Sequence, residues 1–361
     1  MWHAHGVRVI ELRDDRHGLE AFVVVDHDLF PVAAGGTRML PDVDIGEVAR
    51  LARAMTWKFA AWHVPYAGAK AGLRFAGGAR DEVLAAYRQA LEPYRDVFLT
   101  GPDMGTRPAD FADGLDGPPP LWAQSHEGVD MDDLATGHGV KAAAEAALAY
   151  GGRALTGAAI AIEGFGKVGA GMALASTRAG ARIVGVSTVD GLLADPDGLD
   201  VGELFSLRER FGDGLVAHGP APVRRREELF ELDCDVLVPG ARPDSITLDV
   251  ARRLRCAVVA PGANVPYGPG AVEELHRRGI IAVPDFIANA GGIHLYTSVG
   301  EDDSPPEALA RIEALIREGV ARTLAAADAD GVTPLAAAFR AGRGFLAESG
   351  ADDDLLNELF G

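Results

Sequence analysis

Three side chains in the first third of the chain have the types and spacing to move a proton on a carboxylate-bearing substrate: Lys58, Lys70 and Asp103. At helical spacing over residues 45–62, Val48, Leu51, Met55 and Trp62 form one apolar stripe, and Lys58 falls within it. A lysine on a buried face is destabilising unless paired, so it marks either an anionic partner or a packed stem whose ammonium reaches water. Lys70 lies in VPYAGAKAGL, where Pro65 ends the helix and Gly68 and Gly72 bracket the lysine with small neighbours. This reads as a loop presenting an amine into a cavity. Two lysines in one dry pocket would lower each other's ammonium pKa, as a base working near neutral pH requires. Asp103, in TGPDMGT, fits a proton-exchanging carboxylate or an ordinary turn residue.

A second chemistry is written further on. GFGKVG carries a GxGxxG pattern at Gly164, Gly166 and Gly169, after the apolar run 159–163 and at the opening of a helix over 167–179. Gly180 ends that helix and RIVGVS (182–187) supplies the next strand. In this context Gly164 serves a tight turn, Gly166 lets a pyrophosphate approach the backbone, and Gly169 lets helix and strand pack closely. The helix N-terminus supplies free N–H groups and a positive dipole end. Lys167, Val168 and Thr188 are taken with the glycines as cofactor-binding positions. A bare strand-to-helix turn is the alternative. The second strand ends Ser187-Thr188-Val189-Asp190, with no acid at the strand end and no arginine in the turn. Asp190 disfavours a 2′-phosphate, so NAD is expected, with NADP left open.

These residues need elements to hold them. Strands are read at 7–12 and 21–25 and helices at 45–62 and 81–92. A loop rich in Gly, Pro and Asp follows over 101–135, with Gly117-Pro118-Pro119-Pro120 as the candidate domain boundary. Beyond it, helix 136–150 opens an alternation of short apolar runs with helices: 159–163, 182–187, 235–240, 257–262 and 280–285 against 167–179, 247–254 and 269–278. That alternation marks buried parallel strands in βαβ units. A long Ala-rich helix over 304–328 and an acidic helical tail complete an α/β protein of two domains, an α+β front and a doubly wound back. The length of 361 residues fits two or three domains, and 48% hydrophobic with 24% charged residues excludes a disordered or fibrous chain. No apolar run is long enough for a membrane helix, and no basic-then-apolar leader opens the chain, so a cytoplasmic location without membrane contact is expected. The formal charge of −19 repels a phosphate backbone, so no nucleic-acid partner is expected. Cys234 and Cys256 lack metal-ligand spacing and read as buried thiols; no metal is expected. Trp57, opposite the stripe, is read as a subunit contact.

Taken in order, AAGGTRM (33–39), ARAMTWK (52–58), AGAK (67–70), TGPDMGT (100–106), ATGHGV (135–140), GFGKVG (164–169), PGAN (261–264) and VPDFIANAGGI (283–293) resemble the Glu/Leu/Phe/Val amino acid dehydrogenase superfamily. The likeness is closer to its leucine, phenylalanine and valine branch than to glutamate dehydrogenase. It implies an N-terminal substrate and oligomerisation domain over 1–134 with helices of about 330–361, a Rossmann-type NAD domain over 135–329, a cleft between them, and a homo-oligomer. It implies that Lys58 binds the substrate α-carboxylate, Lys70 activates water, and Asp103 exchanges a proton with the amino group. Gly35 and Gly36 would line the substrate site, and Thr136, Asn264 and Asn289 would face cofactor or substrate. The implied reaction converts an L-amino acid, NAD and water to a 2-oxo acid, ammonia and NADH. Two departures stand out. The family's GGGK is Ala67-Gly68-Ala69-Lys70 here, and the lysine that glutamate-specific members place before the first GG is Ala34. A buried second carboxylate would lack its partner there, which disfavours glutamate. The side-chain pocket would be Ala34, Gly101, Ile293 and Tyr296, and the small Gly101 leaves room for a bulky aliphatic or aromatic substrate. A non-catalytic nucleotide-binding regulator on the same fold and a glutamate dehydrogenase are the competing readings.

Overall fold

The computed structural model describes residues 7–112, 120–126, 128–300 and 302–360, so Gly117, Pro118 and Pro119 of the expected boundary lie outside the described residues. The chain forms two compact units, one from the segment before residue 124 together with Phe339 onward, the other from Gln124–Ala338.

In chain order the first unit carries β1 (Arg8–Asp14), β2 (Leu19–Val25), β3 (Ala33–Ala34), β4 (Thr37–Leu40), α1 (Ile45–Ala61), β5 (Ala67–Arg74), α2 (Arg80–Leu91), β6 (Phe98–Leu99) and α3 (Ala109–Ala112). Its sheet runs β1-β2-β5-β3-β6, with β4 also on β5. The AGAK segment, expected as a loop, is the central strand: β5 pairs antiparallel with β2 and parallel with β3 and β4. Its run of Ala and Gly lacks the branched and aromatic residues that announce a strand. Side chains alternate across a strand. Ala67, Ala69, Ala71 and Leu73 enter the apolar cluster that holds Leu84 and Tyr87 of α2. Gly68 lies on the α1 side, where an added Cβ would sit 2.2 Å from Ala52 O and 2.3 Å from Thr56 N. The backbone of α1 thus rests directly on the sheet.

That close approach corrects the expected stripe on α1. The helix starts at its N-cap Asp44, whose carboxylate accepts from Glu47 N at 2.8 Å. Val48, Ala52, Thr56 and Phe59 are its buried face, while Leu51, Met55 and Trp62 flank it half-buried. Small residues win the centre because the strand beneath has no side chain to spare. Trp57 also packs within the chain: its indole N–H donates to Leu359 O at 2.7 Å and its ring lies edge-on to Phe339, so the C-terminal helices cover part of it and leave it half-buried.

The second unit carries β7 (Ser125–His126), β8 (Val129–Asp130), α4 (Met131–Tyr150), β9 (Ala159–Glu163), α5 (Lys167–Arg178), β10 (Arg182–Thr188), β11 (Gly191–Ala194), α6 (Val201–Phe211), β12 (Val236–Pro239), α7 (Leu248–Arg253), β13 (Val258–Val259), α8 (Ala271–Arg277), β14 (Ile281–Ala282), α9 (Asp285–Ala288), α10 (Gly291–Thr297) and α11 (Pro305–Asp330). α12 (Pro334–Glu348) follows, and α13 (Asp353–Phe360) belongs to the first unit. The sheet order β11-β10-β9-β12-β13-β14 is doubly wound, parallel from β10 to β14 with β11 antiparallel at the edge. Strand order reverses at β9, between β10 and β12, and ligands of such sheets bind at the strand ends there. Helix α4 begins at Met131, not at residue 136, so the ATGHGV glycines are helical. A Cβ on Gly137 would lie 2.5 Å from Met172 N of α5, so this glycine is a helix-crossing point. No helix among the described residues is long and apolar enough to cross a membrane. Cys234 and Cys256 are free, and burial holds the Cys256 thiol up at about 12 and that of Cys234 also well above its ordinary value.

Candidate active site

Alternation along β5 sends Lys70 to the face that α1 covers, and Lys58 is on that helix; the two are 7% and 8% exposed. The partner that the structure gives Lys70 is a carboxylate: its Nζ lies 2.9 Å from Asp103 Oδ1. The other carboxylate oxygen, Oδ2, accepts from Arg38 Nε at 2.8 Å, and Arg38 also donates to Glu47 of α1. Burial opposes ionisation of Asp103, but the Lys70 ammonium and the Arg38 guanidinium outweigh it and hold the carboxyl well below the usual carboxylate range. The turn behind Asp103 is pinned by Thr106, whose hydroxyl accepts from Asp103 N at 2.8 Å and donates to Thr37 O at 2.9 Å. Asp103 is therefore built into a cation pair, beyond what turn chemistry needs.

The two glycines of AAGGTRM are explained by distance. A Cβ on Gly35 would lie 1.7 Å from Ala69 O, so Gly35 permits the crossing over β5. A Cβ on Gly36 would meet Pro102 O at 2.7 Å, Asp103 Cβ at 3.1 Å and Lys70 Nζ at 3.3 Å. Gly36 thus borders the lysine–aspartate pair itself. Ala67 and Ala69, the departures from GGGK, point to the opposite face, so their methyls do not crowd Lys70. Ala34 pairs with Leu99 in the sheet, and Gly101, two residues on, accepts from Thr37 N at 2.9 Å. Ile293 and Tyr296 lie one turn apart on α10 in the second unit. Arg38 escaped the sequence reading although it stands inside AAGGTRM; its partners are 65 and 9 positions away.

In the second unit the GxGxxG glycines take three distinct roles. Gly164 has φ +85°, a left-handed turn conformation. A Cβ on Gly169 would lie 2.0 Å from Gly164 O, so helix α5 docks on its own turn. A Cβ on Gly166 would meet nothing within 4 Å. Gly166 is also the N-cap of α5, and no side chain caps the helix's first N–H groups. Around this turn, Val168 Cγ1 lies 3.1 Å from where a Gly262 Cβ would sit, and Asn289 Nδ2 donates to Asn264 Oδ1 at 2.9 Å. Asn289 Oδ1 is buried and accepts no hydrogen bond from the described residues. An uncapped helix start beside a glycine with room, with an orphaned amide oxygen nearby in the fold, fits a dinucleotide. Thr136 donates back to Asp132 O at 3.1 Å and faces Gly292. Lys167 Nζ lies 3.7 Å from Asp133, a carboxyl that burial raises to about 7 and that sequence alone did not single out.

The turn after β10 brings a correction. Thr188 donates to Asp213 O at 2.7 Å and accepts from Asp190 N, so its hydroxyl closes the turn. The sequence has no arginine there, yet Arg224, Arg225 and Arg226 line a cavity of about 440 Å³ together with Asp190. Arg224 and Arg225 pair with Glu228, and Arg226 with Glu227. Among the described residues no cluster of His, Cys, Asp and Glu could hold a metal.

A doubly wound sheet with this turn, joined to an α/β unit in which a buried lysine pairs with a half-buried aspartate, is the make-up of a two-domain nucleotide-dependent dehydrogenase. The chain belongs to the glutamate/leucine/phenylalanine/valine dehydrogenase family: its model matches residues 128–342, and that of the family's dimerisation domain matches residues 6–115. Glutamate dehydrogenase of Thermotoga maritima is 36% identical over 282 residues, 72% of this chain and 67% of that protein. The chain spans about two thirds of the length of such curated relatives. The Leu-bound form of hetero-hexameric glutamate dehydrogenase from Thermus thermophilus superposes with a TM-score of 0.80 at 28% identity, covering 95% of this chain and 88% of that one. L-tryptophan dehydrogenase from Nostoc punctiforme shares the fold, with a TM-score of 0.67 at 23% identity and 96% of each chain covered.

Proposed function

We propose that the protein catalyses reversible oxidative deamination of a hydrophobic L-amino acid with NAD. The observation that carries this reading is the pair of buried Lys70 with half-buried Asp103, set against Gly36 and on the face of the sheet that α1, the helix bearing Lys58, covers. Lys58 holds the α-carboxylate. Asp103, whose carboxylate lies 2.9 Å from Lys70 Nζ, accepts a proton from the α-ammonium and returns it to the amino group as that group leaves. Lys70, once its ammonium has released a proton to solvent, takes a proton from the water that adds to the imino carbon, and ammonia leaves as the 2-oxo acid forms. A nicotinamide ring, when bound, accepts the hydride from the substrate Cα. Gly164, Gly166, Lys167, Val168 and Gly169 hold the pyrophosphate, and Asn289 Oδ1 is free to accept from an amide.

Ala34 offers no charge to a second carboxylate, which supports a hydrophobic substrate; relatives named as glutamate dehydrogenases favour the second reading, glutamate. NAD is favoured because Asp190 stands in the turn after β10 and the three arginines near it are engaged by Glu227 and Glu228. A homo-oligomer is proposed from the match to a dimerisation domain. The test is a panel of L-amino acids with NAD and NADP side by side, following the near-ultraviolet absorbance of reduced cofactor. Leucine, phenylalanine or tryptophan should outpace glutamate by at least tenfold with NAD. Preference for glutamate would overturn the substrate reading, and no turnover with any of them would favour a regulator.

A further inference from the structure

We infer that Arg38 is a positioning residue for Asp103, fixing both the orientation of its carboxylate and the pH range in which it can take a proton. The inference rests on the proposed deamination. Asp103 would otherwise hang from a loop with one partner, Lys70, and a carboxylate held at one oxygen can swing. Arg38 fixes the second oxygen, with Nε 2.8 Å from Oδ2. Its guanidinium is anchored in turn by Glu47 in the first turn of α1, near that helix's N-cap. A planar guanidinium can bind two carboxylates at once in fixed geometry, which an ammonium on a flexible stem cannot. Lys70, Asp103, Arg38 and Glu47 thus form one alternating chain of charges running from β5 through the Asp103 loop and β4 to α1. Side-chain exposures of 8%, 21%, 15% and 30% along it place the two cations deeper than the two acids.

The charged groups that face Asp103 are Lys70 from β5 and Arg38 from β4, with Glu47 of α1 behind the arginine and Lys58 on the same helix. Thr37 and Thr106 in the adjoining turn are neutral. Two cations on one buried carboxylate favour its ionised form, and removing one must raise the pH at which it protonates. Because the carboxylate is the form that accepts the substrate's proton, the lower bound of the pH range in which Asp103 can accept it must move up as well.

The test uses the intact chain with Arg38→Gln, Arg38→Lys and Glu47→Gln. Arg38→Gln should lower kcat at least tenfold, change KM for the amino acid less than threefold, and raise the pH at which the Asp103 carboxyl titrates by about one unit. Arg38→Lys should keep that titration near its original pH while recovering only part of kcat, and Glu47→Gln, which removes an acid and keeps both cations, should not raise it. Carbon-13 titration of the Asp103 carboxyl, assigned with Asp103→Asn, reads the same shift without turnover. A rise there in protein that turns over no amino acid keeps the inference about Arg38 and discards the reading of function. An unmoved titration in Arg38→Gln overturns the inference, and so does an unchanged kcat in Arg38→Lys. If Arg38→Gln fails to fold, kcat of Arg38→Lys decides: a value equal to that of the unaltered chain overturns the inference, and a partial loss at unchanged KM keeps it.

Discussion

At the scale of single residues, Lys58, Lys70 and Asp103 divide the proposed chemistry, and substitution separates their duties. Lys70→Ala removes the amine beside Asp103 and should lower kcat by about 10²–10⁴, the usual worth of a positioned base. Dinucleotide affinity should stay within about threefold, because the GxGxxG turn lies in the other unit. Lys58→Ala should raise KM for the amino acid more than it lowers kcat. Steady-state kinetics with fluorescence titration of reduced cofactor checks both, and a Lys70→Ala variant that keeps most of its rate removes the base assignment. These lysines were legible because a charge on an apolar helix, or among glycines, is out of place. Arg38 was not, since an arginine in a short strand looks like an ordinary solvated residue until the fold brings Asp103 to it from 65 positions away. The same limit hid Arg224, Arg225 and Arg226 beside the β10 turn.

At the scale of elements, glycine and alanine set how close backbones come. β9 was read at its observed bounds, Ala159–Glu163, because an apolar run before a glycine turn has few other folds. β5 was missed because its strandness lives in its neighbours: Ala69 and Ala71 are fully buried only because α2 and the sheet cover them. The alternation that turns Ala67 and Ala69 into the apolar cluster keeps their methyls away from Lys70. Within the dinucleotide turn, two glycines should respond to alanine in opposite ways. Gly169→Ala puts a Cβ 2.0 Å from Gly164 O, a backbone clash that should lower the melting temperature by several degrees. Gly166→Ala meets nothing within 4 Å and should leave the melting temperature nearly unchanged, yet weaken dinucleotide binding at least tenfold. Equal losses of stability in the two variants would mean that the turn is closed, and that Gly166 is not kept open for a phosphate.

At the scale of the whole molecule, the first unit is assembled from both ends of the chain while the second is one continuous stretch. Helix α13 closes the first unit by burying Leu355, Leu356 and Leu359 against Ala60 and Leu346. Its last carbonyls are satisfied by side chains from elsewhere in the unit: Arg53 donates to Glu358 O at 2.7 Å, Trp57 to Leu359 O at 2.7 Å and Arg343 to Leu356 O at 2.9 Å. Three buried leucines at roughly 1.5–3 kcal/mol each amount to about 5–9 kcal/mol, comparable to the whole stability of a domain at 5–15 kcal/mol. A chain ended after Gly350 should therefore lose the first unit's folding transition, and with it all turnover. The second unit keeps its own core around Ala161, Leu237 and Val259. It should still melt cooperatively, and reduced cofactor at one hundred times its Kd should stabilise it by about 2.7 kcal/mol. Calorimetry of the truncated and intact chains, with and without cofactor, reads both transitions. Loss of the cofactor-dependent transition on truncation would mean that the dinucleotide turn depends on the first unit for its shape, and would tie the two chemistries more closely than their separate cores do.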